Sequence, residues 1–161
     1  MPPRKTRFDE LDYQIIQALH AEARASASDI ARQTGANERT IRKRIERLVT
    51  DGAIRLTAIL DPLAFGYLTA ADIFLEAEAN LEPAILDRLM AMPEVTYVAL
   101  GQETQEISIE ARFKDNAELR EFLGRTLPDI AGVKVTRYAL VPRILRNIDE
   151  WMPKKEDFDI S

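Results

Sequence analysis

A single residue, Ala36, separates a helix-stopping glycine, Gly35, from a helix-starting asparagine, Asn37, and no other short stretch of the chain limits its fold so closely. Upstream, Ser26-Ala27-Ser28-Asp29 is an S-x-x-D box whose hydroxyl and carboxylate can satisfy the amides that a helix's first turn leaves without partners. Ile30 and Ala31 follow it, and Gly35 supplies the left-handed residue that ends a helix. Downstream of Asn37, itself a good N-cap, Ile41, Ile45 and Leu48 recur on one helical face until Asp51-Gly52. Two helices joined by so tight a turn form the helix-turn-helix pattern. A third helix is expected before them, with Asp9 as N-cap, Asp12 in the first turn where the helix dipole favours acid, and Phe8 placed to staple onto Tyr13. Its buried stripe is Leu11, Ile15 and Leu19.

If Ile41, Ile45 and Leu48 face a core, helical geometry turns Arg39, Lys43, Glu46 and Thr50 directly outward and puts Arg42 and Arg47 on the flanks. Arg44 falls nearer the buried side. In a helix-turn-helix the second helix enters the major groove and its first residues reach base edges, so Arg39, Thr40, Arg42 and Lys43 are placed for duplex DNA. Arginine donates paired hydrogen bonds to guanine, and both cations neutralise phosphates. Asn37 at the helix start, Ser26 and Ser28 before it, and Arg47 complete the candidate DNA-binding set, since hydroxyls and amides at helix starts also hold phosphate.

A net charge of −5 argues against such a partner until its distribution is examined. Residues 1–52 carry ten Lys or Arg against eight Asp or Glu, whereas the remainder carries twelve against nineteen. The positive charge concentrates between Arg39 and Arg47. A solvated helix face has the same appearance, so position in the fold has to decide, and a three-helix protein-interaction module stays open beside the DNA reading.

Beyond Gly52 the periodicity changes. Ile54, Leu56, Ala58 and Leu60 alternate with Arg55, Thr57, Ile59 and Asp61 until Pro62, which reads as a linker strand. Strands are then expected around Ile73-Phe74-Leu75, over Val95–Leu100, over Glu106–Phe113 and over Val133–Val141. Helices fit Ile85, Leu86 and Leu89, and again a stretch from Asn116 with Leu119, Phe122 and Leu123 inward. A faint repeat, Met92-Pro93-Glu94-Val95 and later Leu127-Pro128 through Gly132-Val133, supports a βαββαβ order. The fold class expected is therefore α+β: a three-helix (winged) helix-turn-helix domain over residues 1–53, a linker strand over 54–62, a ferredoxin-like βαββαβ domain over 63–142, and a tail over 143–161. A sheet with helices on one face leaves the other for a second subunit, so a homodimer is expected. Gly101, Gln102, Glu103, Thr104 and Gln105 form a polar loop between the two middle strands, either a plain hairpin turn or a site for a small-molecule effector. The tail, mixing Arg146, Lys154 and Lys155 with acids around the lone Trp151, fits an arm on a partner or a frayed end.

The absence of cysteine removes disulfides, thiolate nucleophiles and cysteine-held metals. His20 stands alone on the first helix, away from groups that complete a catalytic set, and neither a phosphate-cradling glycine loop nor a metal-ligand cluster is present. No enzyme, no cofactor and no metal are expected. With no apolar leader and no apolar run of membrane-spanning length, the chain reads as cytoplasmic.

From Phe8 to about Val141 the chain resembles the Lrp/AsnC, or feast/famine, regulators. The likeness lies in Phe8-Asp9-x-x-Asp12-x-x-Ile15-Ile16-x-x-Leu19 with Arg24, in Ser26-x-x-Asp29-Ile30-Ala31, in Asn37-x-x-Thr40-Ile41-x-x-Arg44-Ile45-x-x-Leu48 and in Gly52-x-Ile54. The Pro128 to Gly132-Val133 segment is similar to that family's sensing domain. The resemblance implies a sequence-specific DNA-binding transcriptional regulator that dimerises through its sheet, often assembles into octamers and commonly responds to an amino acid bound between subunits. Three positions depart from the pattern: Asn37 replaces a common serine, Val49 a usual glutamate, and Gln102 to Glu106 the usual glycine-x-tyrosine-aspartate loop. An architectural DNA-binding protein without effector, and a ligand-binding ferredoxin-like module with a helical interaction domain, are the alternatives.

Overall fold

The computed structural model describes residues 8–102 and 106–159. The chain divides into two units, one formed by residues up to Ile59 together with those from Ile148 onward, the other by Leu60–Asn147.

The first unit holds three helices, α1 (Glu10–Ala21), α2 (Ala27–Thr34) and α3 (Glu38–Thr50). Each begins at the residue whose side chain caps it. Asp9 accepts from the Asp12 backbone N–H at 3.1 Å while Asp12 reciprocates, and Ser26 and Asp29 repeat that arrangement on α2. The Asn37 carboxamide oxygen accepts from the Arg39 N–H at 2.8 Å. Gly35 ends α2 at φ +72°, a conformation that costs a residue with Cβ and leaves only Ala36 before the next cap. Ile15, Ile30, Ile41 and Leu48 are fully enclosed, with Ala27 beside them in the cluster and Leu11, Leu19 and Ile45 against its edge. His20 lies exposed near the end of α1.

The alternating stretch after Gly52 behaves differently from the linker strand expected of it. Residues 54–61 carry no strand pairing, and no strand follows α3 as a wing among the described residues of this unit. Alternation prepares a chain for a sheet, but a strand needs a neighbour for its amides, and Leu56, Ile59 and Leu60 remain 56 to 67 % exposed. Pro62 opens a short 3-10 turn, Pro62–Phe65, closed by Gly66.

The second unit is an antiparallel sheet of β1 (Thr69–Ala77), β2 (Val95–Leu100), β3 (Glu106–Phe113) and β4 (Val133–Leu140), in the order β2-β3-β1-β4. Helix α4 (Glu82–Met90) lies in sequence between β1 and β2, and α5 (Asn116–Glu121) between β3 and β4. This is the βαββαβ order expected. Ile73 pairs with Ile109 and Leu75 with Ile107, so the period-two apolar residues of neighbouring strands share one face. That face, with Ile85 and Leu89 of α4 and Leu119 and Phe122 at α5, makes a wholly apolar core. Helix α5 widens after Glu121 into a looser turn in which the Leu127 N–H reaches back to the Phe122 carbonyl at 2.9 Å. On the opposite face stand Phe74, Tyr97, Glu110 and Arg137, with the Arg137 guanidinium 3.3 Å from the Phe74 ring centre.

Candidate nucleic-acid interface

Helix α3 meets α1 through a charged contact as well as through apolar ones. Asp12 on α1 is fully buried and accepts from Arg44 at 3.0 Å and from Arg47, both on α3. Arg44 Nη1 also donates to Asp9 at 2.7 Å. A carboxylate removed from water needs such cations close by, and two arginines on one helix clamp it in register. Burial works to raise the Asp9 carboxyl, yet the Arg44 hydrogen bond, the Asp12 backbone N–H and the Arg44 charge outweigh it and hold it below the ordinary carboxylate range. The same pairing raises Arg44, its hydrogen bond to Asp9 being the main cause.

With that side of α3 anchored, the opposite side is open. Arg39, Thr40, Arg42 and Lys43 are all exposed on the helix's first two turns. Arg39 and Lys43 have no ion-pair partner among the described residues, while Arg42 is paired with Glu38 one turn back at 2.6 Å. An exposed pair of this kind contributes about 1 kcal/mol or less and yields readily to a phosphate. Ser26 and Ser28 are exposed at the start of α2. The Ser26 hydroxyl already binds the Asp29 carboxylate at 2.6 Å, which together with Arg32 holds Asp29 below its usual pKa. Arg47 does not stand with the others: placed on the flank by the helical wheel, its side chain is directed onto Asp12. Helical spacing misses this because Arg is long enough to fold back from a flank to a buried acid.

Of the loop between β2 and β3, Gly101 is half-buried and Gln102 exposed, and the Gly101 N–H donates to the Glu106 carbonyl at 2.9 Å. Glu103, Thr104 and Gln105 lie outside the described residues. No group of three or more His, Cys, Asp or Glu that could hold a metal ion occurs among the described residues. No helix among them is long and apolar enough to cross a membrane.

Residues 8–49 match the model of the AsnC-type helix-turn-helix domain, a span that begins just before the α1 cap and ends within α3. Over 149 residues, 92 % of this chain and 92 % of the relative, the sequence is 32 % identical to the HTH-type transcriptional regulator PH0140 of Pyrococcus horikoshii. The chain belongs to the Lrp/AsnC family of transcriptional regulators. Its fold agrees with AsnC of E. coli at a TM-score of 0.80 and 26 % identity, covering 89 % of this chain and 99 % of that one. The feast or famine regulatory protein of M. tuberculosis complexed with L-methionine shares the fold at a TM-score of 0.76 and 21 % identity, covering 89 % and 98 %. For this Lrp/AsnC chain, helical spacing anticipated that Arg39, Thr40, Arg42 and Lys43 are exposed on α3, but it missed the pairing of Asp12 with Arg44, which appears only once α1 and α3 meet. The single signal for them was an acid on a helix's core side facing an arginine nearer the buried side of another.

Proposed function

We propose that this Lrp/AsnC regulator binds duplex DNA through the exposed side of α3, with Arg39, Thr40, Arg42 and Lys43 addressing the major groove. Asn37, whose carboxamide oxygen is occupied by the cap, presents its side-chain N–H2 to the duplex, and Ser26 and Ser28 face phosphate at the start of α2. The observation that carries the reading is the opposition on one helix: Arg44 and Arg47 hold Asp12, and Arg39 and Lys43 point away from it into solvent. Arg47 acts here by fixing the helix rather than by reading bases.

A second copy of the chain covers the open face of the sheet, as its half-buried Phe74 and exposed Tyr97 favour. Two recognition helices then meet successive major grooves about one helical turn apart. Higher assembly, up to an octamer, is a multiple of this pairing. A small-molecule effector, with an amino acid the class that the methionine-bound relative suggests, acts at the β2–β3 loop from Gly101 to Gln105. The work is done in the cytoplasm, on double-stranded DNA, without a catalytic step.

The decisive test is a mobility-shift titration at several salt concentrations. Lys43→Ala and Arg42→Ala should weaken binding and lower the slope of log K against log salt by about one each if both meet phosphate. Unchanged affinity in both variants, with helix content intact, rejects the assignment. Thermal shift against the amino acids tests the effector, a flat response throughout removing it.

A further inference from the structure

The C-terminal segment returns to the first unit and closes on α1. Phe158 is 7 % exposed, and its ring meets Tyr13 edge-on with centres 5.0 Å apart. The Asp159 N–H donates to the Phe8 carbonyl at 2.7 Å, and Asp159 bridges Asp9 in parallel register. Lys155 lies 3.5 Å from Glu10 and 5.9 Å from the Tyr13 ring centre. These contacts fall on the residues that open α1, where Asp9 and Asp12 hold Arg44 and Arg47 of α3. The chain therefore passes between its two units twice, once at Ile59–Leu60 and again at Asn147–Ile148, and only residues 141–147 lie between the end of β4 and the returning segment.

We infer that residues 148–159 form a clasp that sets the position of α3 for DNA, with Phe158 as its positioning residue. The route is contiguous: the Phe158 ring and the Asp159 N–H fix the entry to α1, the entry fixes Asp9 and Asp12, and these carboxylates fix the recognition helix by its two arginines. Phe158 meets Tyr13 on α1, so its effect on α3 passes through α1. The segment is joined to β4 through residues 141–147, so the helical unit has a second covalent connection besides the linker after Gly52. The inference rests on the DNA reading for its consequence, but the clasp itself can be observed without DNA.

The full chain is compared with Phe158→Ala and Phe158→Leu, using a labelled duplex recovered by the full chain from a random-sequence pool. Trp151, the single tryptophan, lies in the clasp and reports its mobility by fluorescence anisotropy. For Phe158→Ala the expected results are lower Trp151 anisotropy, faster amide exchange in α1 and α3, and DNA binding weakened about fivefold or more. The salt slope should stay unchanged, because the phosphate-contacting groups are intact. Phe158→Leu, which keeps apolar bulk against Tyr13, should recover most of the affinity. Should Phe158→Ala lose helix content, Asp159→Pro removes the N–H that Phe8 accepts and leaves the ring in place. Full affinity despite a mobile Trp151 overturns the inference, and so does a fallen salt slope, which would make the segment a direct DNA contact. If the full chain binds no duplex, the DNA reading fails by itself. Exchange at α3 then still judges the clasp: unaltered α3 protection in Phe158→Ala ends it.

Discussion

Behind the sheet every fully enclosed side chain is apolar, from Ala71 on β1 to Leu127 beyond α5, whereas among the three helices a carboxylate, Asp12, is as completely enclosed as Ile15. The sheet unit has enough apolar surface to stabilise itself by burial. Three short helices do not: among the described residues, besides Ala27, only Ile15, Ile30, Ile41 and Leu48 are withdrawn from water in their cluster. That unit adds a charge network, Asp9 and Asp12 with Arg44 and Arg47, and a late-arriving ring, Phe158. A buried ion pair contributes little net stability when whole but is costly when one partner is lost. The helical unit should thus be sensitive to charge and the sheet unit to volume, and this difference also has a functional side. Removing a methyl from a sheet core loosens packing, while disturbing Asp12 releases the helix that carries the exposed Arg39 and Lys43.

The strongest way to break the comparison is a pair of substitutions. Asp12→Ala removes the enclosed acceptor of Arg44 and Arg47 and half of the α1 capping box, while Arg44 keeps Asp9, and should cost the helical unit about 2–4 kcal/mol. In segment-resolved amide exchange α1 to α3 should open while β1 and β3 stay protected. Leu75→Ala, in the middle of β1 and fully buried, should cost the sheet unit about 2–5 kcal/mol and leave α1 to α3 protected. If Asp12→Ala opens the sheet as well, the two units do not stabilise themselves separately and the contrast falls.

A smaller effect sharpens the volume side of the contrast. Gly132 precedes β4 at φ +78°, and a Cβ built there would lie 2.8 Å from Leu81 Cδ1 and 3.2 Å from Glu78 Cβ. Gly132→Ala should cost about 1–2 kcal/mol from the left-handed backbone alone, with more from the clash. Gly35 shares the backbone conformation, at φ +72°, but has open space where a Cβ would go. Gly35→Ala should therefore be the milder of the two in thermal melts, and equal losses would show that crowding at Leu81 contributes nothing.

Much of this architecture was legible because local rules and tertiary structure agree. Asp9, Ser26 and Asn37 cap the helices that their chemistry announces, and the alternation from Glu106 to Phe113 becomes β3 with its apolar residues on the core face. What escaped depends on meetings between distant residues. Arg47 has the spacing of a flank residue and the reach of a buried one, so no helical wheel assigns it to Asp12. The ring that meets Tyr13 edge-on is Phe158, from the other end of the chain, and no local spacing announces it. Leu56 to Leu60 has the pattern of a strand, yet pattern supplies no partner. In the candidate site, exposure of Arg39 and Lys43 followed from the stripe opposite them, while the anchoring of α3 did not.

The smallest predicted effect isolates charge from shape at the edge of the same network. Asp9 is half exposed, so its pair with Arg44 contributes well under the enclosed pair at Asp12 and on the order of 1 kcal/mol or less. Its folded-state pKa is depressed, so its contribution is present above the unfolded value, about 3.9, and is lost as pH falls through the lower folded value. Asp9→Asn keeps a side chain that caps a helix nearly as well, and so removes the charge without removing the cap. Near neutral pH the variant's helical unit should melt slightly below that of the full chain. As pH falls from about 4 through the lower folded value, the two melting curves should converge, because protonated Asp9 no longer differs in charge from asparagine. Curves that stay parallel down to the acid limit would show that the cap, and not the Arg44 pairing, is what Asp9 contributes.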